Sequence, residues 1–198
     1  MSEVDINLNK NKYIEIYNKS ITRDGSQQLL DYLQKSDFFT APASSQFHSA
    51  FEGGLCFHSI KVFERFLQII KTEYGDNFEE KVSMETIAIC ALLHDLCKID
   101  TFKIDTRNKK VDGQWIQVPF YTVEDTLPYG HGEKSVYIIS GFMRLTREEA
   151  MIINWHMGGF DARVKGGSYS LSEAFYRFPL AVMFHTCDML ATYLDEVR

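Results

Sequence analysis

Apolar residues recur at helical spacing along most of this chain. Leu29, Leu30 and Leu33 follow the turn-forming Asp24-Gly25-Ser26 and predict a short helix. After Gly53-Gly54, the residues Leu55, Ile60, Val62, Phe63, Phe66, Leu67 and Ile70 predict a long one. Ser83, with Thr86 beyond it, opens a third, whose stretch Ile87-Ala88-Ile89-Cys90-Ala91-Leu92-Leu93 is apolar without interruption. A short helix through Val136, Ile138 and Ile139 follows Pro128-Tyr129-Gly130. Thr146 and Glu149 form a capping box for the next helix, which ends at Trp155-His156 before Gly158-Gly159. Pro179 suits the first turn of a last helix with Leu180, Phe184, Cys187, Ala191 and Leu194 as its apolar stripe.

The helical period fails in four places. The first 25 residues are rich in Asn, Lys and Ile and weakly patterned, which predicts a frayed tail or a short β segment at Tyr13–Tyr17. Thr40 to Ser49 has the composition of a loop. Residues 105–121 read as a β-hairpin inserted in a helical body, because Asp112-Gly113 supplies the positive φ angles that a tight primed turn demands. Phe160 to Ser168 reads as a polar, Gly-rich loop. The expected architecture is mainly α: residues 1–49 as an N-terminal extension with one short helix, and 50–198 as one domain carrying the hairpin.

A chain of 198 residues can bury a substantial core, and 45% hydrophobic with 24% charged residues is an ordinary globular balance. The net charge of −6 argues against general binding to duplex nucleic acid or acidic membranes, which needs basic patches. Cys56, Cys90, Cys97 and Cys187 form no CxxC pair, and reduced thiols in a cytoplasmic protein fit better than a disulfide scaffold. The acidic start Met1 to Asp5 has no apolar core of a secretory signal, and no run is long enough to span a membrane. A homo-oligomer is compatible with all of this.

The polar residues at the helix ends carry the chemistry. His58, His94-Asp95, His131, His156 and Asp188 stand in apolar surroundings, with spacings of about one helix plus a connection, so a bundle can deliver them to one place. Neutral imidazoles and carboxylates are ligands for Fe, Mn, Ni, Co or Zn alike. Buried carboxylates beside several histidines are hard to explain without a cation.

In this order the residues resemble the H…HD…D signature of the HD-domain metal-dependent phosphohydrolase superfamily. Gly53-Gly54-Leu55-Cys56-Phe57-His58-Ser59 is similar to the "GGL…H(S/T)" opening of many members, Leu92-Leu93-His94-Asp95-Leu96-Cys97-Lys98 to the "LLHDIGK" core, and His131-Gly132-Glu133 to the "HGE" segment of members with additional histidines. The resemblance, which covers residues 50–195, implies an HD-type helical bundle. It implies that His58, His94, Asp95 and Asp188 hold a first divalent ion. Asp95 would bridge to a second, completed by His131 and His156, as in the two-metal branch that includes the HD domain of 3′→5′ exoribonucleases. A metal-bridging hydroxide would then attack a phosphate ester of a nucleotide or short oligonucleotide, with Asp95 and Lys98 catalytic. The GYP motif of the cyclic-dinucleotide branch and the OB-fold of the exoribonucleases are absent, which counts against those narrower assignments.

Lys98, Lys134, Arg163 and Lys165 are the candidate phosphate contacts, and His185 is expected to pack or to support a ligand. Two other functions share the ligand set: a di-iron oxygenase of the same superfamily and a non-catalytic regulatory module.

Overall fold

The computed structural model describes residues 5–196, so the absence of a secretory signal in residues 1–5 falls almost wholly outside it. The protein is mainly α, with nine helices and a small two-stranded antiparallel sheet among the described residues. The helices are α1 (Ile6–Ser20), α2 (Ser26–Lys35), α3 (Gly54–Tyr74), α4 (Met84–Leu93), α5 (His131–Ser140), α6 (Arg147–Trp155), α7 (Ala162–Lys165), α8 (Ser170–Arg177) and α9 (Leu180–Leu190). No helix is long and apolar enough to cross a membrane among the described residues.

The organising element is α4. A helix that is apolar on every side must be surrounded on every side. All of Ile87 to Leu93 is buried, and α1, α3 and α6 pack around it. Ser83 caps its start by accepting from Thr86 N–H. Because α4 is central, the residues at its C-terminal end emerge inside the protein rather than on its surface. This is how His94 and Asp95 come to be 0% and 2% exposed.

The first segment differs from the expected frayed tail or β piece. It is the helix α1, opened by Asp5, whose side chain accepts from Leu8 N–H. Its buried face consists of Tyr13 and Tyr17, four residues apart, too little apolar character to stand out in an Asn- and Lys-rich sequence. Tyr13 Oη donates to Leu92 O at 2.9 Å, so α1 is bonded to α4 two residues before His94. One core cluster includes residues from Tyr13 to Ala191, on both sides of residue 49.

Two further segments depart from the sequence pattern. The supposed loop 160–168 contains α7, opened by Asp161, whose carboxylate accepts from Arg163 N–H. Helix α8 occupies residues left unassigned by the pattern; its buried residue is Ala174.

The hairpin is longer than residues 105–121. Strand β1 (Phe102–Val111) pairs with β2 (Gln114–Val123), from Phe102↔Val123 to Val111↔Gln114. Asp112 at φ 51° and Gly113 at φ 84° make the expected turn. Both legs are tied to the body by the buried ammonium of Lys134, which donates to Asp125 Oδ1 at 2.6 Å and to Thr101 Oγ1 at 3.3 Å.

Candidate metal centre

His94 and His156 reach the centre by the same local device. Each is the residue that ends its helix, α4 or α6. Each turns its ring back so that Nδ1 faces the carbonyl three residues earlier: His94 to Ala91 O at 2.9 Å, His156 to Ile153 O at 2.7 Å. With the Nδ1–H committed to a carbonyl, the remaining ring nitrogen, Nε2, points inward as an acceptor. His58, on the second turn of α3, has Nδ1 at 2.5 Å from Glu196 Oε1, so its Nε2 also faces inward. His131 opens α5, and its Nε2 lies 2.8 Å from Asp95 Oδ1.

A close crossing of α5 and α6 brings His131 and His156 together, with ring centroids 5.1 Å apart. Gly132 permits it: a Cβ there would stand 2.4 Å from Asn154 O and 2.6 Å from Ile153 O. Beyond His156, Gly158 adopts φ 53°, and a Cβ would lie 2.5 Å from the His185 ring. His185 Nδ1 lies 2.7 Å from His156 O, so His185 braces the turn at His156.

Asp95 sits between the histidines and faces them with both oxygens. Oδ2 is 3.5 Å from His58 Nε2 and 3.4 Å from His94 Nε2; Oδ1 is 2.8 Å from His131 Nε2 and 3.5 Å from His156 Nε2. Asp188, on α9, approaches the first side, with Oδ1 3.3 Å from His58 Nε2. His58 Nε2 and His94 Nε2 are 3.1 Å apart. Donor atoms bound to one ion at ordinary bond lengths are separated by about 3.0–3.4 Å, and these spacings are of that size.

The division between the two sides is less strict at His156. Its Nε2 also falls with His94 and Asp188 in a group able to hold an ion. That same Nε2 is buried and makes no hydrogen bond, an acceptor aimed at a place where a positive charge fits. The residues therefore fit a metal ion, and together they form buried His, Asp and Cys groups that could hold one.

The electrostatics divide the four histidines. Burial pushes the affinity of His94 and His131 for a proton below the usual value and favours the neutral, ligating form. Burial also opposes charge on His58, but Glu196 and Asp188 outweigh it and raise its pKa to about 10. His156 is raised as well, because Asp95 overcomes its burial. Asp95 and Asp188 are both held well below the usual carboxylate range: burial opposes this, and Lys98 with the histidines overcomes it for Asp95, His58 chiefly for Asp188.

The centre opens to solvent on one side. His58, His94, Asp95 and His156 are buried, whereas the side chains of His131, Asp188 and Lys98 are 32%, 14% and 13% exposed. Lys98 Nζ contacts Asp95 Oδ2 at 2.6 Å.

The other proposed phosphate contacts are elsewhere. Lys134 holds the hairpin legs, as described above. Arg163 directs its donors to Asp161, Glu133 and Asn154 and lies over the Trp155 ring at 3.9 Å, which makes it a clamp for the turn after His156 rather than an open cation. Lys165 is exposed on α7, with Nζ 5.8 Å from the centre of the Phe160 ring.

Three residues beside the centre carry no readable signal in the sequence. Glu196 bonds His58 from 138 residues away. His48 lies beside His58, with ring centroids 5.1 Å apart and the rings tilted by 47°. Cys97 places Sγ 3.4 Å from His131 Nε2 and 3.9 Å from Asp95 Oδ1. All four cysteines are buried and free.

Comparison of the chain with protein-family models, with curated proteins and with solved structures found no match.

Proposed function

We propose that this protein is a metal-dependent phosphohydrolase of the HD type, acting on a phosphate ester of a nucleotide or short oligonucleotide. The observation that carries the reading is Asp95, a buried carboxylate with one oxygen toward His58 and His94 and the other toward His131 and His156. A carboxylate that presents both oxygens to separate groups of imidazoles is suited to bridge two cations. In this reading His58, His94, Asp95 and Asp188 hold one ion, and Asp95, His131 and His156 the other. Bound divalent cations would supply Lewis acidity, lowering the pKa of water and neutralising phosphate oxygens.

The chain's own residues do the rest. The Nδ1 hydrogen bonds of His58, His94 and His156 fix their rings before substrate arrives, so little reorganisation accompanies the reaction. The exposed edge formed by His131, Asp188 and Lys98 is where a phosphate group enters. Lys98 neutralises Asp95 in the metal-free protein, and with Asp95 neutralised by cations its ammonium is available to a phosphate oxygen.

The test is hydrolysis of bis-p-nitrophenyl phosphate by protein loaded in turn with Mn, Fe, Co, Ni and Zn, with Asp95→Asn as control. Metal-dependent hydrolysis that the substitution abolishes supports the proposal. Protein that binds these ions yet hydrolyses neither this ester nor a nucleotide panel with any of them refutes it.

A further inference from the structure

The turn that follows α9 is not a continuation of its α-helix. Residues Ala191–Asp195 form a π-helical turn, a geometry that recurs at functional sites. Three bonds hold it: Glu196 N–H donates to Ala191 O at 3.1 Å, and Arg65 donates to both oxygens of Asp195. The turn carries Glu196 inward until it is 8% exposed.

Both oxygens of Glu196 are then used. Oε1 lies 2.5 Å from His58 Nδ1, and Oε2 accepts from Ser49 Oγ at 2.5 Å. Ser49 sits at φ 43°, a left-handed conformation that is costly for a residue with a side chain. Its carbonyl accepts from Ala43 N–H while its hydroxyl reaches Glu196. A strained residue, a π-turn and a buried carboxylate thus converge on one imidazole, which a surface tie would not require.

We propose that Glu196 is a positioning residue of the metal centre. Through its hydrogen bond to His58 Nδ1 it fixes Nε2 as the nitrogen that faces the cation, and it thereby sets the centre's affinity. This rests on the reading of the centre as a metal site. A carboxylate is suited to the task because it holds the proton on Nδ1 and stabilises the positive charge that the ring gains when Nε2 binds a cation. His48 lies beside the His58–Glu196 pair, its ring centroid 5.1 Å from that of His58.

The experiment uses zinc as the probe, with the full chain and the variants Glu196→Gln and Glu196→Ala. Zinc affinity is measured by competition with a chromophoric chelator, and the His58 ring protons by 1H–15N NMR of the zinc-loaded protein. The expected result is a loss of affinity of roughly 10- to 100-fold in E196A, in the range found when the partner of a ligating histidine is removed, and a smaller loss in E196Q. The wild type should show a far-downfield proton on His58 Nδ1, absent in E196A. Melting of the metal-free variants reports any purely structural role, which would lower their Tm without changing the zinc affinity of the folded protein. Zinc affinity within twofold of wild type in both variants, or zinc on His58 Nδ1 in the wild type, overturns the proposal. A wild-type protein that takes up no divalent cation at all overturns the metal-centre reading with it.

Discussion

Removing Arg23 should loosen the two helices whose ends deliver three of the six proposed metal ligands. Its guanidinium grips Glu149 with two bonds, NH1 to Oε2 at 2.8 Å and NH2 to Oε1 at 3.0 Å, and reaches Glu85 Oε2 at 3.2 Å. Glu149 lies in the first turn of α6 and Glu85 in the first turn of α4, whose far ends carry His156 and His94-Asp95. Thr86 on α4 also donates to Glu149 Oε1 at 3.0 Å, so the two helix starts are joined directly. Glu149 is 0% exposed. In Arg23→Ala its charge stays buried with only the Thr86 hydroxyl and the Thr146 N–H as partners.

Breaking a buried pair on one side costs about 3–5 kcal/mol, and because the Arg23 side chain is 21% exposed a cost discounted to about 2–4 kcal/mol is expected. At about 2–4 °C per kcal/mol for a protein of this size, the Tm should fall by roughly 4–16 °C. The assay is thermal and urea unfolding of the wild type, R23A and R23A/E149Q. The double variant should recover part of the loss, since an amide is cheaper to bury than an unpaired carboxylate. A loss in R23A below about 1 kcal/mol, or no recovery in the double variant, would refute the reasoning.

Other expectations follow from the same contacts. Burial opposes charge on Glu149 and Glu85, but Arg23 and the backbone donors hold both below the ordinary carboxylate pKa. Their contribution to stability is therefore fully present above the unfolded value and declines as pH falls through the folded values, and acid unfolding of R23A should show a shallower dependence in that range. Gly132→Ala forces a Cβ into two carbonyl oxygens of α6; about 1–3 kcal/mol of destabilisation and weakened metal uptake are expected, read by unfolding and chelator competition, and a neutral effect on both would show that the close crossing is not required. Metal present at 100 times its Kd should stabilise the fold by about 2.7 kcal/mol and raise the Tm by roughly 5–11 °C, a shift that Asp95→Asn should abolish in differential scanning fluorimetry. Because His58 is held near pKa 10 without metal, each ion bound through its Nε2 at pH 7 must displace that proton; unchanged apparent affinity between pH 7 and 9 would contradict the arrangement.

Much of the candidate centre was legible because His94, Asp95, His131 and His156 stand where patterned helices start or end. The apolar run Ile87 to Leu93 marks a central helix, and a polar pair at the end of such a helix has only the interior to enter. His131 and His156 were legible from the Gly130 and Gly158 breaks beside them. Glu196 was not, because nothing in Tyr193-Leu194-Asp195-Glu196 separates a buried carboxylate from a solvated one; only the π-turn and the long-range contact with His58 do. The partners of two proposed substrate cations were hidden for a related reason. Arg163 and Lys134 look free in a sequence, and their partners Asp161, Glu133 and Asp125 become visible only when the chain is folded. Helix α1 was hidden because two tyrosines suffice to dock it, and the hairpin ran past its turn signal because pairing continues for as long as both strands stay extended.

The central claim is that Asp95 bridges two cations. The most direct measurement is anomalous scattering from crystals of the protein grown with Mn(II), collected with zinc- and iron-edge data to identify any metal carried through purification. Two peaks on opposite sides of the Asp95 carboxylate, one among His58, His94 and Asp188 and the other beside His131 and His156, are the predicted result. A single peak away from Asp95, or no peak with these side chains ordered as described, would contradict it.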